Sequence, residues 1–520
     1  MNIVVFSALA FVLPIRFETN DDIGMLAIAS GNYLSGPDAH LVFINYIYGL
    51  LVSSLYKLYG GIEWYTLLFA IIHIVSWSII SWRIFAEKAR PISKLVASLL
   101  FLSLEICCIL YFQFTTTAAV CATGSVVLFM ASRDDKLRIL AILLFFLGTL
   151  IRFEAACLVL LLSTPLFVKE LFAVGNKQLG KYMMSCCILV ALPIAAKIAD
   201  KKIYDSDAEW KYYKEYNLLR GGINDNLNAY VLKELPQEVT ETDYNLFLHF
   251  FADCSVMTLD VIQDITSRID RISISDKMHN LLHNTIRYRI PMSFVFLLCL
   301  TVFLLQKDKK NRSIVALIFG LLVFVIVFVS LDALLKERVF ISMLIPVCWM
   351  LYSIFIHSEK QSNRWVCFFM LGLSLLLTAS LHYKYINPEI KKNERKQNRD
   401  EPLTLEVIDY MKTLNDEYIM QYQGGVRLQH LSPFKTSEYI EGLKWVNSGW
   451  YSYIPFNKGV FDSYKDIIDK NYVLVAHVDK DKLVGPIKES VRLHYGISVE
   501  PKTVYESNLY SLIRFVSVNN

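Results

Sequence analysis

The chain reads as an α-helical polytopic membrane protein of about eleven spans with interfacial helices, followed by a small carboxyl-terminal α/β or α+β domain. Three observations carry that reading. Of 520 residues, 54% are hydrophobic and only 19% are charged, a balance that water-soluble globules do not show. The apolar residues gather into runs approaching the ~20 needed to cross a bilayer. Residues 402–520 change character, mixing short helical patterns with strand-like ones.

The expected spans are 1–15, 64–83, 95–112, 115–131, 139–152, 153–168, 182–199, 288–306, 313–331, 339–357 and 365–383. The first has no basic flank, and no small-residue cleavage site follows it, so it is kept as a span. Leu41 to Tyr59 is also apolar, but its aromatics Phe43, Tyr46, Tyr48, Tyr56 and Tyr59 suit a helix lying along the interface. Charge supports this. With that segment off the count, the basic linkers Arg83 to Lys94, Arg133 to Arg138, Lys169 to Lys181, Lys307 to Arg312 and Ser358 to Arg364 share one side, which the positive-inside rule makes cytoplasmic. The outer face then receives loops 16–64 and 200–287, the turns at Phe112 to Thr116, Arg152 to Glu154 and Asp332 to Arg338, and the whole tail.

Residues 1–384 are thus expected to form the membrane domain, 385–401 a charged linker and 402–520 a soluble outer domain. In the long outer loop, Asp207 to Tyr216 reads as a helix, the Gly221–Gly222 pair as a sharp turn, Pro236 as the close of a following helix, and Thr240 to Ile265 as two amphipathic helices. In the tail, helices are expected over 403–414 and 479–494 and strands over 472–477, 502–505 and 509–518. Trp445, Trp450, Tyr451 and Tyr453 cluster there; such aromatics stack on sugars in some sites but more often fill a small core.

Several chemistries are excluded. Nine of the ten cysteines lie in apolar segments, with Cys254 alone in a polar one and no metal-ligand spacing among them. A net charge of +4, scattered between loops, is no nucleic-acid footprint. No GxGxxG, P-loop, nucleophile elbow or HExxH sequence occurs.

What remains is a set of polar groups on the expected outer side. Phe17-Glu18-Thr19-Asn20-Asp21-Asp22 places adjacent carboxylates just after the first span, where a helix cap is the plain alternative. Asp38 and His40 follow a Gly36-Pro37 break, and Asp38 also suits a helix cap. Glu105 lies within a span, where an ionisable group is costly and marks function or a neighbouring partner. Gln113 sits in an outer turn; Arg152 and Glu154 stand together at another; Arg220 and Asp225 belong to the long loop. Lys336 and Arg338 are cations on the side that the charge rule disfavours, and an anionic lipid head group would answer them.

In architecture and in these motifs the chain resembles the GT-C superfamily of membrane glycosyltransferases, whose relatives include protein O-mannosyltransferases and the aminoarabinose transferase of lipid A. More narrowly it looks like a poorly characterised bacterial branch, through Asn20-Asp21-Asp22 with Met25, Gly36-Pro37-Asp38-Ala39-His40 with Asn45, Trp64-Tyr65, Gln113-Phe114-Thr115, Leu150-Ile151-Arg152, and Asn217 through Arg220 to Asp225. The resemblance implies a bacterial inner-membrane enzyme with its site on the extracytoplasmic side, a polyprenyl-phosphate-linked sugar as donor and a glycan or lipid-linked acceptor. It also implies a catalytic acid in the first outer loop, here Asp21 or Asp22; relatives carry an Asp-Glu type pair there, so Asp-Asp is a departure. Arg152, Arg220, Lys336 and Arg338 are the expected donor-phosphate cations, and Asp38, His40, Glu105, Gln113, Glu154 and Asp225 the expected substrate contacts. A divalent Mg or Mn ion on Asp21 or Asp22 is left open. The alternatives are a polymerase or ligase of lipid-linked oligosaccharides, which would not depend on the first-loop acids, and a non-catalytic transporter or flippase of lipid-linked sugars.

Overall fold

The computed structural model describes residues 2–33, 36–131, 134–224, 230–332, 334–359, 364–414, 418–421 and 427–518. Asp225 lies outside the described residues, as do residue 133 and residues 360–363 of the basic linkers.

From the amino terminus run α1 (Asn2–Val12), two short helices α2 (Asn20–Ser30) and α3 (Tyr46–Leu58), and then α4 (Trp64–Ala86), α5 (Pro91–Leu110), α6 (Phe114–Ala131), α7 (Asp135–Ile151), α8 (Phe153–Ala173) and α9 (Asn176–Asp205). A polar group follows: α10 (Ala208–Asn224), β1 (Tyr230–Leu232), α11 (Glu241–Leu248), α12 (Leu259–Ser267) and β2 (Ile269–Arg271). The chain then returns to the bundle with α13 (Ile274–Leu305), α14 (Lys309–Asp332), α15 (Glu337–Glu359) and α16 (Arg364–Leu381).

A helix stands at each of the eleven expected spans. Among the described residues, eight of them (α4, α5, α6, α8, α9, α13, α14 and α15) are long and apolar enough to cross a membrane. The count of eleven is not reached on that measure: α1 has 11 residues and α7 has 17, short of the ~20 a crossing takes, and α16, with 18, is the third helix outside the eight. α3, with 13 residues, is likewise too short to span, as its aromatic pattern suggested.

The loop between α9 and α13 is smaller than the hydropathy pattern implied. α9 continues to Asp205, and α13 starts at Ile274, so its first 14 residues carry it about 21 Å before the apolar stretch begins. Two turn signals also read differently in three dimensions. Gly221 and Gly222 lie inside α10, whose buried side (Trp210, Tyr213, Tyr216, Arg220, Ile223) runs through the pair at helical spacing. Pro236 follows a strand rather than a helix, because β1 pairs antiparallel with β2. α11 and α12 are the two amphipathic helices expected.

The carboxyl-terminal part comprises α17 (Asn387–Arg395), α18 (Glu401–Lys412), β3 (Ile419–Gln421), α19 (Thr436–Ile440), β4 (Trp445–Asn447), β5 (Tyr472–Ala476), α20 (Lys480–Tyr495), β6 (Val499–Glu506) and β7 (Tyr510–Ser517). Its strands form one mixed sheet, ordered β4-β3-β5-β7-β6, with β3 parallel to both neighbours and β7 antiparallel to both of its own. The expected strands and both long helices are present, in a small α+β unit. The charged stretch between bundle and tail, expected as a linker, is helical without a break from Arg364 to Lys412, through wide turns at His382–Ile386 and Lys396–Asp400.

One hydrophobic cluster crosses between bundle and tail. Ile23 and Ala27 of α2, Tyr65 and Phe69 of α4 and Tyr213 of α10 share it with Trp445, Trp450, Tyr451 and Leu512. The tail aromatics are therefore core, and the surface they cover is the helix that carries the acidic pair. A second cluster lies within the bundle, built from α4, α5 and α13 to α16.

Candidate active site

α2 begins inside the acidic stretch, with Thr19 at its N-cap and Asn20, Asp21 and Asp22 in its first turn. The helix dipole favours carboxylates there. Two ties fix where that turn points. Phe17 bridges Phe112 in the turn before α6, with the two rings stacked at 5.7 Å, and the Glu18 N–H donates to the Phe112 carbonyl at 3.2 Å. Arg16, buried, places Nη2 2.6 Å from Glu401 and donates Nε–H to the His430 carbonyl at 2.7 Å, clamping the loop to the tail.

The adjacent aspartates meet different surroundings. Asp22 is fully buried, and its Oδ1 accepts from the Tyr65 hydroxyl at 3.0 Å and from the Phe114 backbone N–H at 3.0 Å. Its Oδ2 is buried with no hydrogen-bond partner among the described residues. Burial pushes its carboxyl well above the usual range, outweighing both hydrogen bonds, and the Asp21 charge adds to the rise. Asp21 is half-buried and lies within electrostatic reach of Tyr213 and Tyr451.

Glu18 completes the cluster, although nothing in its spacing singled it out from the stretch around it. Its Oε2 accepts from Gln113 Nε2 at 2.5 Å, and its Oε1 lies 3.2 Å from Arg338 Nη1. Burial raises the Glu18 carboxyl, and the Arg338 charge only partly reverses this. Arg338 also acts on Asp22. The cation expected at the wrong side of the bundle is thus held against the acidic turn, while Lys336, two residues before it, is exposed.

Arg152 stands one aromatic layer further on. Its guanidinium lies over Phe114 at 5.3 Å and Phe43 at 6.0 Å, and Nε is 3.1 Å from Glu154, which also meets Lys197 at 3.3 Å. Phe114 thus touches both groups, its amide holding Asp22 and its ring facing the guanidinium. Arg152, Glu154 and Lys197 border a small polar cavity of about 80 Å³ with Asp200 and Lys214, neither of which was a sequence candidate. Lys214 donates to the Val42 carbonyl at 2.9 Å, and burial lowers its ammonium to about 8.

The other expected contacts make pairings of their own. Asp38 Oδ1 accepts from the His40 backbone N–H at 2.8 Å and meets His40 Nδ1 at 2.7 Å, while the His40 ring stacks on Trp210 at 4.3 Å. Burial would raise the Asp38 carboxyl, but the His40 hydrogen bonds hold it below the usual range. Arg220 is buried, with Nε donating to Asn217 at 3.0 Å and the guanidinium over Phe250 at 6.0 Å. Glu105 is buried in α5, with Oε1 unpartnered among the described residues. As for a metal, no group of three or more His, Cys, Asp or Glu side chains among the described residues converges on a point. Among the described residues the acidic turn does not present a metal cage.

No protein-family model matches the chain, and no curated sequence matches it. Solved structures do. ArnT from Cupriavidus metallidurans bound to undecaprenyl phosphate aligns with a TM-score of 0.50 at 10% identity, over 98% of this chain and 97% of that one. ArnT from the same organism in the apo state aligns with a TM-score of 0.50 at 8% identity over the same shares. The chain therefore shares its overall fold with ArnT, in line with the architecture that the sequence resemblance implied.

Proposed function

We propose that this protein is an inverting membrane glycosyltransferase, moving a sugar from a polyprenyl-phosphate donor to an extracytoplasmic glycan or lipid-linked acceptor in the bacterial inner membrane. The observation that carries the reading is the start of α2, whose first turn carries two aspartates and whose preceding Glu18 meets Arg338. A fold shared with a protein solved with undecaprenyl phosphate supports it.

The surroundings divide the labour between the two acids. Asp22, enclosed by Tyr65 and the Phe114 amide, holds the start of α2 against α4 and α6. Asp21, half-buried beside it, is the carboxylate an acceptor can reach. In the reaction Asp21 takes the proton of the acceptor hydroxyl as that oxygen attacks the anomeric carbon. The bond from that carbon to the phosphate oxygen breaks on the opposite face, so configuration inverts, and polyprenyl phosphate departs with the bonding pair. The leaving group is a stabilised anion, so it needs cations rather than a second acid. Arg338 and Arg152 flank the turn for that purpose, with Lys336 at the rim, and charge placed where it develops in the transition state is usually the largest catalytic term. Arg220, fixed by Asn217, acts in this scheme by positioning α10.

Purified protein supplied with radiolabelled polyprenyl-phosphate sugars and a membrane extract tests the reading. Label should pass from lipid to acceptor. A donor that keeps its sugar-phosphate bond while crossing the bilayer would instead identify a transporter.

A further inference from the structure

A cavity of about 470 Å³ opens beside Glu18, between the helix that leaves the bundle and the sheet of the tail. It is strongly cationic. Lys392, Arg395, Lys396 and Arg399 line it from one helix and Arg427 from the tail, with the rings of His430 and His477 beside them; burial lowers the His430 imidazole to about 4, so it adds no charge. The four helical cations are spaced i, i+3, i+4 and i+7, which puts them on one face. Like charges at that spacing weaken a helix in isolation. Among the described residues two acids line the same space, and both are engaged: Glu18 with Arg338, and Asp400 with Arg399 at 2.6 Å; Lys392 meets Glu389, outside the lining, at 2.8 Å.

The deepest cation makes the imbalance sharper. Lys396 is 6% exposed, and its Nζ lies 3.5 Å from the Phe17 carbonyl rather than against a carboxylate. Burial lowers its ammonium to about 8, with the Lys392 charge adding to the effect. Gln429, also lining the cavity, has a buried side-chain oxygen with no hydrogen-bond partner among the described residues. Turning the amide would offer its NH₂ group to an anion instead. A buried cation wants a counter-charge, and the guanidinium fork suits paired phosphate oxygens better than any other side chain.

We propose that this cavity binds a phosphorylated group carrying two or more negative charges, distinct from the donor phosphate assigned above. The volume suits a diphosphate or a phosphorylated sugar rather than a lone ion. The assignment stands on the cavity itself and does not require the transfer reaction. Two sources fit the chemistry: a phospholipid head group entering from the membrane face, and a soluble phosphorylated glycan or pyrophosphate.

Calorimetric titration of the purified full-length protein in detergent, with inorganic pyrophosphate and inorganic phosphate at matched ionic strength, provides the test. Pyrophosphate should saturate a single site and bind at least tenfold more tightly than phosphate. Arg395→Gln/Arg427→Gln, which alters two exposed side chains, should weaken it tenfold or more, and Lys392→Glu should do the same by another route. The titration is then repeated in nanodiscs of phosphatidylcholine with and without phosphatidic acid. Competition by phosphatidic acid supports the cavity and names a lipid head group as occupant; unchanged pyrophosphate binding supports it and names a soluble one. Absence of saturable pyrophosphate binding, or binding untouched by both variants, overturns the proposal. Asp21→Asn should bind pyrophosphate as the wild type does, so that a failed transfer assay and an empty cavity are separate results.

Discussion

Two neighbouring aspartates in one helical turn differ more than their sequence positions suggest, and substitution should separate them. Asp21→Asn removes the proposed base while keeping the size and hydrogen-bonding oxygen of the side chain, so transfer should fall by about 10²- to 10⁴-fold while the protein stays folded. Asp22→Asn keeps an oxygen for the Tyr65 hydroxyl and the Phe114 amide, so a measurable fraction of activity should survive. Asp22→Ala leaves both donors buried and unpaired, and should cost about 1–3 kcal/mol in a denaturation assay. Equal loss of activity in Asp21→Asn and Asp22→Asn at unchanged stability would contradict this division.

Lys396 adds a pH signature. Its folded-state value is lowered from 10.5 to about 8, so below pH 8 the ammonium is charged in both states and its burial penalty is fully felt. Between pH 8 and 10.5 the unfolded chain holds the proton longer than the folded one, so this group's contribution to stability rises with pH across that window. Its size is of the order of 3 kcal/mol at most. Lys396→Met should remove this group's share of the rise in a melting-temperature series over that range and leave the share of Lys214, which is lowered to about 8 as well.

The element that carries the acidic turn is α2, and its packing admits one residue type at its centre. A Cβ on Gly24 would collide with the Tyr451 hydroxyl and the Trp450 ring. Gly24→Ala should therefore push the tail away from the acidic turn, costing about 1–3 kcal/mol and reducing transfer. Both losses should be larger than in Gly222→Ala, where the added methyl meets open space. The unbroken helix from Arg364 to Lys412 carries the cations of the second site. Its charged composition reads as a linker in sequence because solvated linkers and cation-lined helices share that composition. The i, i+3, i+4, i+7 spacing of Lys392, Arg395, Lys396 and Arg399 was the available signal.

Across the molecule, bundle and tail share a core, so neither part should behave well alone. A chain ending at residue 401 would uncover Ile23, Ala27 and Tyr65 and remove the His430 carbonyl that receives Arg16. It should be degraded or inactive in membranes. A fragment of 402–520 would expose Trp445, Trp450 and Tyr451, all buried in the full chain, and should aggregate or bind a hydrophobic dye strongly. A soluble, dye-silent fragment would show that the shared core contributes little.

Membrane character, the positions of eleven apolar helices, the non-spanning α3, the α+β tail and the acidic turn could all be read from residue order. Each rests on local periodicity or composition, and these survive in one dimension. The partners of that turn could not. Glu18 with Arg338, Asp22 with Tyr65, Arg152 over Phe114 and Arg16 on Glu401 join residues from 38 to 385 positions apart. Which of two adjacent carboxyls is enclosed, and which cations converge beside it, follows from how helices and sheet close on one another, because burial and distance exist only once the chain is folded.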